Sequence, residues 1–70
     1  MKKYWLINVS GRDGYSLMIH AEVETEGQAI DAAANADLFD DVCDSRYAFA
    51  EVASESDINQ FKEWDLINKI

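Results

Sequence analysis

"KYWLINVSGRDGYSLMIHAEVE", residues 3–24, decides the fold. Residues 3–9, KYWLINV, combine aromatic and β-branched side chains and predict a strand. Residues 10–14, SGRDG, predict a turn, with Gly11 and Gly14 free to take positive φ. From residue 15 the side chains alternate. Tyr15, Leu17, Ile19, Ala21 and Val23 share one face; Ser16, Met18, His20, Glu22 and Glu24 share the other. Two strands across a glycine-bearing turn make a β-hairpin. Its core face also takes Trp5, Ile7 and Val9.

Outward from the hairpin, Thr25 offers an N-cap, and Gln28 stands at capping-box spacing from it. The alanine-rich run from Glu26 to Asp37 has high helix propensity. Ala29, Ile30, Ala33 and Ala36 recur on one face, with Asp31 and Asn35 opposite. Leu38, Phe39 and Val42 are expected to tuck back into the core. Residues 46–53, RYAFAEVA, predict a third strand. Ser54 or Ser56 caps a second helix, with Asp57 favouring its N-terminus and Ile58 and Phe61 on its inner face. Residues 64–70 predict a continued helix, because no Gly or Pro breaks it; a short closing strand is the alternative. The whole reads as one domain over 1–70 of the α+β class, in the order ββαβα. A small antiparallel sheet, the hairpin plus a third strand beside the first, carries two helices on one face.

The charge narrows the function. Fourteen acidic residues stand against six basic ones, a formal net charge of −8. Binding to nucleic acid needs basic groups that displace counterions, so the charge argues against direct binding, and likewise against binding to anionic membranes. Nearly half the residues are apolar, at 49%, which sets the chain apart from disordered acidic tails. Cys43 is the single cysteine, so no internal disulfide can form, and a reducing, cytoplasmic setting is expected. The apolar run after Lys3 is too short for a signal peptide, and none is long enough for a membrane span.

"DLFDDVCD", residues 37–44, packs four carboxylates around that cysteine. As a calcium loop it lacks the spacing and the glycine; as a zinc site it lacks a second cysteine, and His20 is the chain's one histidine. Reactive thiolates sit in electropositive surroundings, and Cys43 has Asp41 and Asp44 as neighbours. Ser16, His20 and Glu22 share a strand face, but at i, i+4 and i+6 they stand too far apart for a triad. No catalytic, cofactor-binding or metal-binding residue is assigned, and the expectation is a protein that is not an enzyme.

The carboxylates serve better as a surface for a basic partner. Glu22, Glu24, Asp37, Asp40, Asp41 and Asp44, where acidic density is highest, are the expected contacts. Spaced carboxylates on a compact body imitate duplex phosphates and fit a groove lined with Lys and Arg. The alternative is a small structural or regulatory module that forms a homodimer through the outer sheet face, by way of Tyr4, Leu6 and Met18, or through an unpaired edge strand.

The segment "AEVETEGQAIDAA", residues 21–33, resembles the strand-into-helix junction of DpnD/PcfM-like small proteins and of some compact anti-CRISPR proteins. The resemblance covers about the first half of the chain and carries over no functional residue. It implies a small acidic protein of a phage or other mobile element. Such a protein is expected to act as an inhibitor, blocking the basic nucleic-acid-binding site of a larger complex by charge mimicry.

Overall fold

The structure, a computed structural model, describes residues 1–70 except Arg12, Asp13 and Val42. The expectations placed on the turn at Arg12 and Asp13, and on Val42 in the core, lie outside the described residues. The chain runs β1 (Lys3–Val9), β2 (Tyr15–Ala21), α1 (Glu26–Asn35), a 3₁₀ turn (Asp44–Tyr47), β3 (Ala48–Val52), α2 (Glu55–Glu63) and β4 (Ile67–Lys69). The α+β class and the ββαβα order hold, with a fourth strand added. The sheet order is β3-β1-β2-β4, so the third strand does lie beside the first.

Register follows the alternation of the hairpin. Trp5 faces Ile19, Ile7 faces Leu17, and across the other seam Ile7 faces Ala50 and Val9 faces Ala48. Residues directly opposite share a face, so Trp5, Ile7, Val9, Leu17, Ile19, Ala21, Ala48 and Ala50 form one apolar surface. Ala29 and Ala33 of α1 complete this core, and Ile30, Leu38 and Phe39 pack at its margin. Small residues on both sides let helix and sheet approach closely. Neither hairpin glycine uses positive φ. Gly14 sits in a tight place instead: a Cβ there would stand 3.3 Å from the Val9 carbonyl oxygen, closer than most Cβ contacts.

Residues 64–70 depart from the expected helix. Trp64 caps α2, and Ile67–Lys69 form β4, pairing parallel to β2 with Met18 facing Ile67 and His20 facing Lys69. The sheet is therefore mixed rather than antiparallel. The expectation of both helices on one face is also overturned. β2 and β3 are each antiparallel to β1, hence parallel to one another, and β4 is parallel to β2. The connection through α1 crosses the sheet from β2 to β3; the connection through α2 crosses back from β3 to the far edge. Two right-handed crossovers running in opposite directions need their helices on opposite faces. Lys62 of α2 accordingly lies over the Tyr4 ring, 5.6 Å from its centroid, on the face opposite Trp5 and Ile7. Met18 on that second face is 0% exposed.

Both helices begin and end by local rules. Thr25 Oγ1 accepts the Gln28 N–H while the Gln28 side chain accepts the Thr25 N–H, a full capping box, and Ser54 caps α2 through the Asp57 N–H. At the C-termini, Leu38 N–H reaches Ala33 O and Asp37 N–H reaches Ala34 O; Leu66 N–H reaches Phe61 O and Asp65 N–H reaches Lys62 O. These are two Schellman motifs. Their left-handed residues are aspartates, Asp37 at φ 58° and Asp65 at φ 57°. The same local pattern, Ala-Asp-Leu-Phe and Trp-Asp-Leu-Ile, thus stops both helices. Among the described residues no helix is long and apolar enough to cross a membrane.

The left-handed conformation costs an ordinary residue about 1–2 kcal/mol and glycine little. Asp37→Gly and Asp65→Gly should each raise the thermal midpoint, by about 0.5–1 kcal/mol of added stability. Asp→Asn variants, which remove the charge but keep the side chain, separate the charge contribution from the backbone one. Circular-dichroism melts check this; glycine variants that melt no higher than the asparagine ones would place the helix ends elsewhere.

Candidate functional site

The acidic segment is a folded loop braced by its own carboxylates. After Asp37 the chain tucks Leu38 and Phe39 against the core and then closes over Tyr15 of β2. The Tyr15 hydroxyl donates to Asp44 Oδ2 at 2.5 Å and accepts the Asp40 N–H at 3.0 Å. Asp44 Oδ2 also accepts the Asp41 N–H at 3.2 Å, and Asp41 Oδ1 accepts the Cys43 N–H at 2.8 Å. Asp and Asn side chains commonly hold loops this way, by standing in for backbone carbonyls. A hollow of about 260 Å³ lies between this loop and the start of the hairpin turn, lined by Tyr15, Asp40, Asp41, Asp44 and Ser10 among others. Burial, and then the hydrogen bond to Asp44, push the Tyr15 hydroxyl above its ordinary value; the Asp40 N–H opposes them in part.

This geometry changes the part played by several expected contacts. Asp41 and Asp44 hold the loop, and Asp37 is a helix terminator. Asp40 is exposed, and its backbone N–H is the group that braces. Glu22 and Glu24 are exposed too, but they follow the far end of β2. Glu22 lies 3.4 Å from the N-terminal ammonium and Glu24 lies 3.1 Å from Lys3 Nζ. A seven-residue strand spans about 20 Å. The six carboxylates are thus divided between two ends of the molecule rather than gathered into one patch. No group of three or more His, Cys, Asp or Glu side chains among the described residues is placed to hold a metal ion.

The expected self-association surface is covered. Met18 is fully buried and Leu6 half-buried, with α2 over this face. Tyr4 stacks flat on His20, ring centroids 4.0 Å apart and planes at 4°. Ser16 donates its hydroxyl to Asn8 Oδ1, not to His20. The arrangement is that of a second, smaller packing layer.

An edge strand is a surface the sequence also allows, and the structure shows which strand it is. β3 is an edge strand, and its Ala50 N–H is capped by Glu26 Oε2 at 3.2 Å. Beside it Phe49 is 61% and Val52 59% exposed, and Tyr47 is exposed as well. The signal was present in YAFAEV: alanines at 48 and 50 must face the alanine side of α1, which turns Tyr47 and Phe49 away from that core.

No protein-family model matches the chain, and neither the curated proteins nor the solved structures compared with it give a match.

The folded-state Tyr15 value lies above the ordinary 10.0, so the native state holds this proton more tightly than the unfolded chain. Its contribution to stability is complete below that ordinary value and is lost as pH rises through the raised folded value. Tyr15→Phe should cost about 1 kcal/mol near neutral pH, from the lost hydroxyl hydrogen bonds. It should also remove from an absorbance titration of the native protein the component that Tyr15 contributes above the ordinary tyrosine value. A titration in which the late component survives this substitution would contradict the Tyr15–Asp44 pairing.

Proposed function

We propose that this is a non-enzymatic acidic binding protein that occupies the basic, nucleic-acid-binding site of a larger partner. One observation carries the reading: most carboxylates stand at the surface, whether or not they also brace a loop or an edge. Apart from Asp44 and Asp57, every described Asp and Glu belongs to an exposed residue. Among the described residues the ion pairs are Met1–Glu22 and Lys3–Glu24. Asp31 lies on α1, Asp40 on the loop, Glu51 on β3, and Glu55 and Glu63 on α2, so negative charge covers both helical layers and one sheet edge.

Such a body acts on a partner through its field. A groove lined with Lys and Arg to hold phosphates presents the complementary potential, and steering raises the encounter rate. The interaction competes with nucleic acid for the same cations. A cytoplasmic site of action fits a chain with one cysteine, and an inhibitor carried by a phage or other mobile element fits its size and charge. Self-association through Tyr4, Leu6 and Met18 is the weaker reading, because Met18 is fully buried and Tyr4 and Leu6 are half-buried.

The test uses carboxylates that brace nothing. The triple variant Asp31→Lys, Asp40→Lys and Glu63→Lys should keep the native circular-dichroism spectrum. It should lose capture of basic proteins from a nucleic-acid-binding fraction of lysate. Proteins captured by the unaltered chain should be released by duplex DNA and by salt, since the Debye length falls from about 10 Å at 0.1 M to about 3 Å at 1 M. Capture that survives the triple variant, DNA and salt would refute charge mimicry.

A further inference from the structure

β3 is an edge strand, and the direction of its peptide groups can be read from its seam with β1. Ser10 N–H donates to Tyr47 O and Ala53 N–H donates to Tyr4 O, both across the β1 seam. In an antiparallel pair the peptide groups alternate in direction. Tyr47, Phe49, Glu51 and Ala53 therefore turn theirs toward β1, and Ala48, Ala50 and Val52 turn theirs outward. The Glu26 carboxylate on the Ala50 N–H confirms this direction, because it occupies the place where the carbonyl of an added strand would sit. Glu26 is the first residue of α1, held there by the Thr25 cap.

The surroundings of this edge specify the occupant. On one face α1 covers Ala48 and Ala50. On the other, exposed Phe49 stands between Asn8 and Glu51, beside a hollow of about 260 Å³ that Glu26 also lines. An incoming strand meets an aromatic ring with the Glu51 and Glu26 carboxylates beside the same hollow. A second copy is a poor occupant: it would bring a net charge of −8 against −8 and set acidic residues near their own kind. Exposed strand edges commonly carry charge that discourages such self-pairing. A strand of opposite charge meets no such barrier. We infer that the β3 edge receives, by strand addition, an extended segment of a partner protein with Lys or Arg at alternate positions. Glu26 leaves the Ala50 N–H to the incoming carbonyl and pairs with a cation of the new strand. Glu51 takes another cation, and Phe49 packs against an apolar neighbour. Main-chain bonds supply affinity in this mode, and alternate side chains supply specificity.

This inference rests on the acidic-binding reading above and adds where and how the partner is held. The probes are a short peptide of alternating lysine and valine, and a twin of the same sequence methylated on every backbone nitrogen. The twin keeps the charge and removes the donors. Binding at low salt is followed by amide chemical shifts and amide exchange of the whole protein. The unmethylated peptide should shift the Ala48, Ala50 and Val52 amides and slow the exchange of Ala48 and Val52. The twin should bind about tenfold or more weakly, and Phe49→Lys should weaken the unmethylated peptide similarly. The twin leaves the protein unaltered, so loss of folding cannot imitate its result. If both peptides bind equally and the shifts spread over the acidic loop, strand addition is overturned while the charge reading stands. If neither binds at low salt, both are overturned.

Discussion

Strand β1 runs against every other strand of the sheet, and the rest of the molecule depends on that. Its hairpin with β2 and its second seam with β3 leave those two strands parallel. Parallel strands cannot be joined by a tight turn; each connection must cross the sheet. α1 makes the first crossing toward β3, and α2 must then cross the other way to deliver β4 beside β2. With one handedness available, the two helices take opposite faces. A small chain thereby covers both sides of its sheet, with a main core under α1 and a thinner layer around Met18, Tyr4 and Phe61 under α2.

That arrangement decides what the surface can offer. With Met18 buried and Tyr4 stacked on His20, the centre of the second sheet face is packed, and Phe49 is left exposed at its β3 edge. What remains is negative charge over most of the exterior and the outer edge of β3, where Glu26 stands in for a missing strand. In the proposed binding mode the two features belong together: acidic residues at the edge would discourage pairing with another copy and favour a basic segment, and the chain-wide field would steer that segment in. The acidic loop at 37–44, conspicuous in the sequence, spends much of its hydrogen-bonding capacity on itself and on Tyr15.

Much of the fold could be read before the structure, wherever the controlling interactions were local. The hairpin was legible from its alternation, the start of α1 from Thr25 and Gln28, the cap of α2 from Ser54, and the alanine face of α1 from its spacing. The end of α2 was not, because a left-handed terminator is looked for at glycine or asparagine, and here Asp65 takes that place. Asp37 does the same at the end of α1. Missing that stop hid β4, and without β4 nothing required α2 to cross the sheet, so both helices were set on one face. The site was less legible than the fold. Individual carboxylates could be named, but Asp41 and Asp44 depend for their roles on Tyr15, far away in sequence. Glu22 and Glu24 were separated from them only by the direction of β2. The β3 edge needed the register to show which peptide groups point outward.

The central claim is that the chain closes its sheet with β4 and so buries the second face under α2. Nuclear Overhauser contacts across the β2–β4 seam test it most directly. The account predicts backbone contacts in parallel register between Met18–His20 and Ile67–Lys69, together with contacts from the Lys62 side chain to the Tyr4 ring. Helical contacts running unbroken from Glu63 to Ile70, with Met18 open to solvent, would contradict it. They would also return the sheet face to the list of surfaces a partner can use.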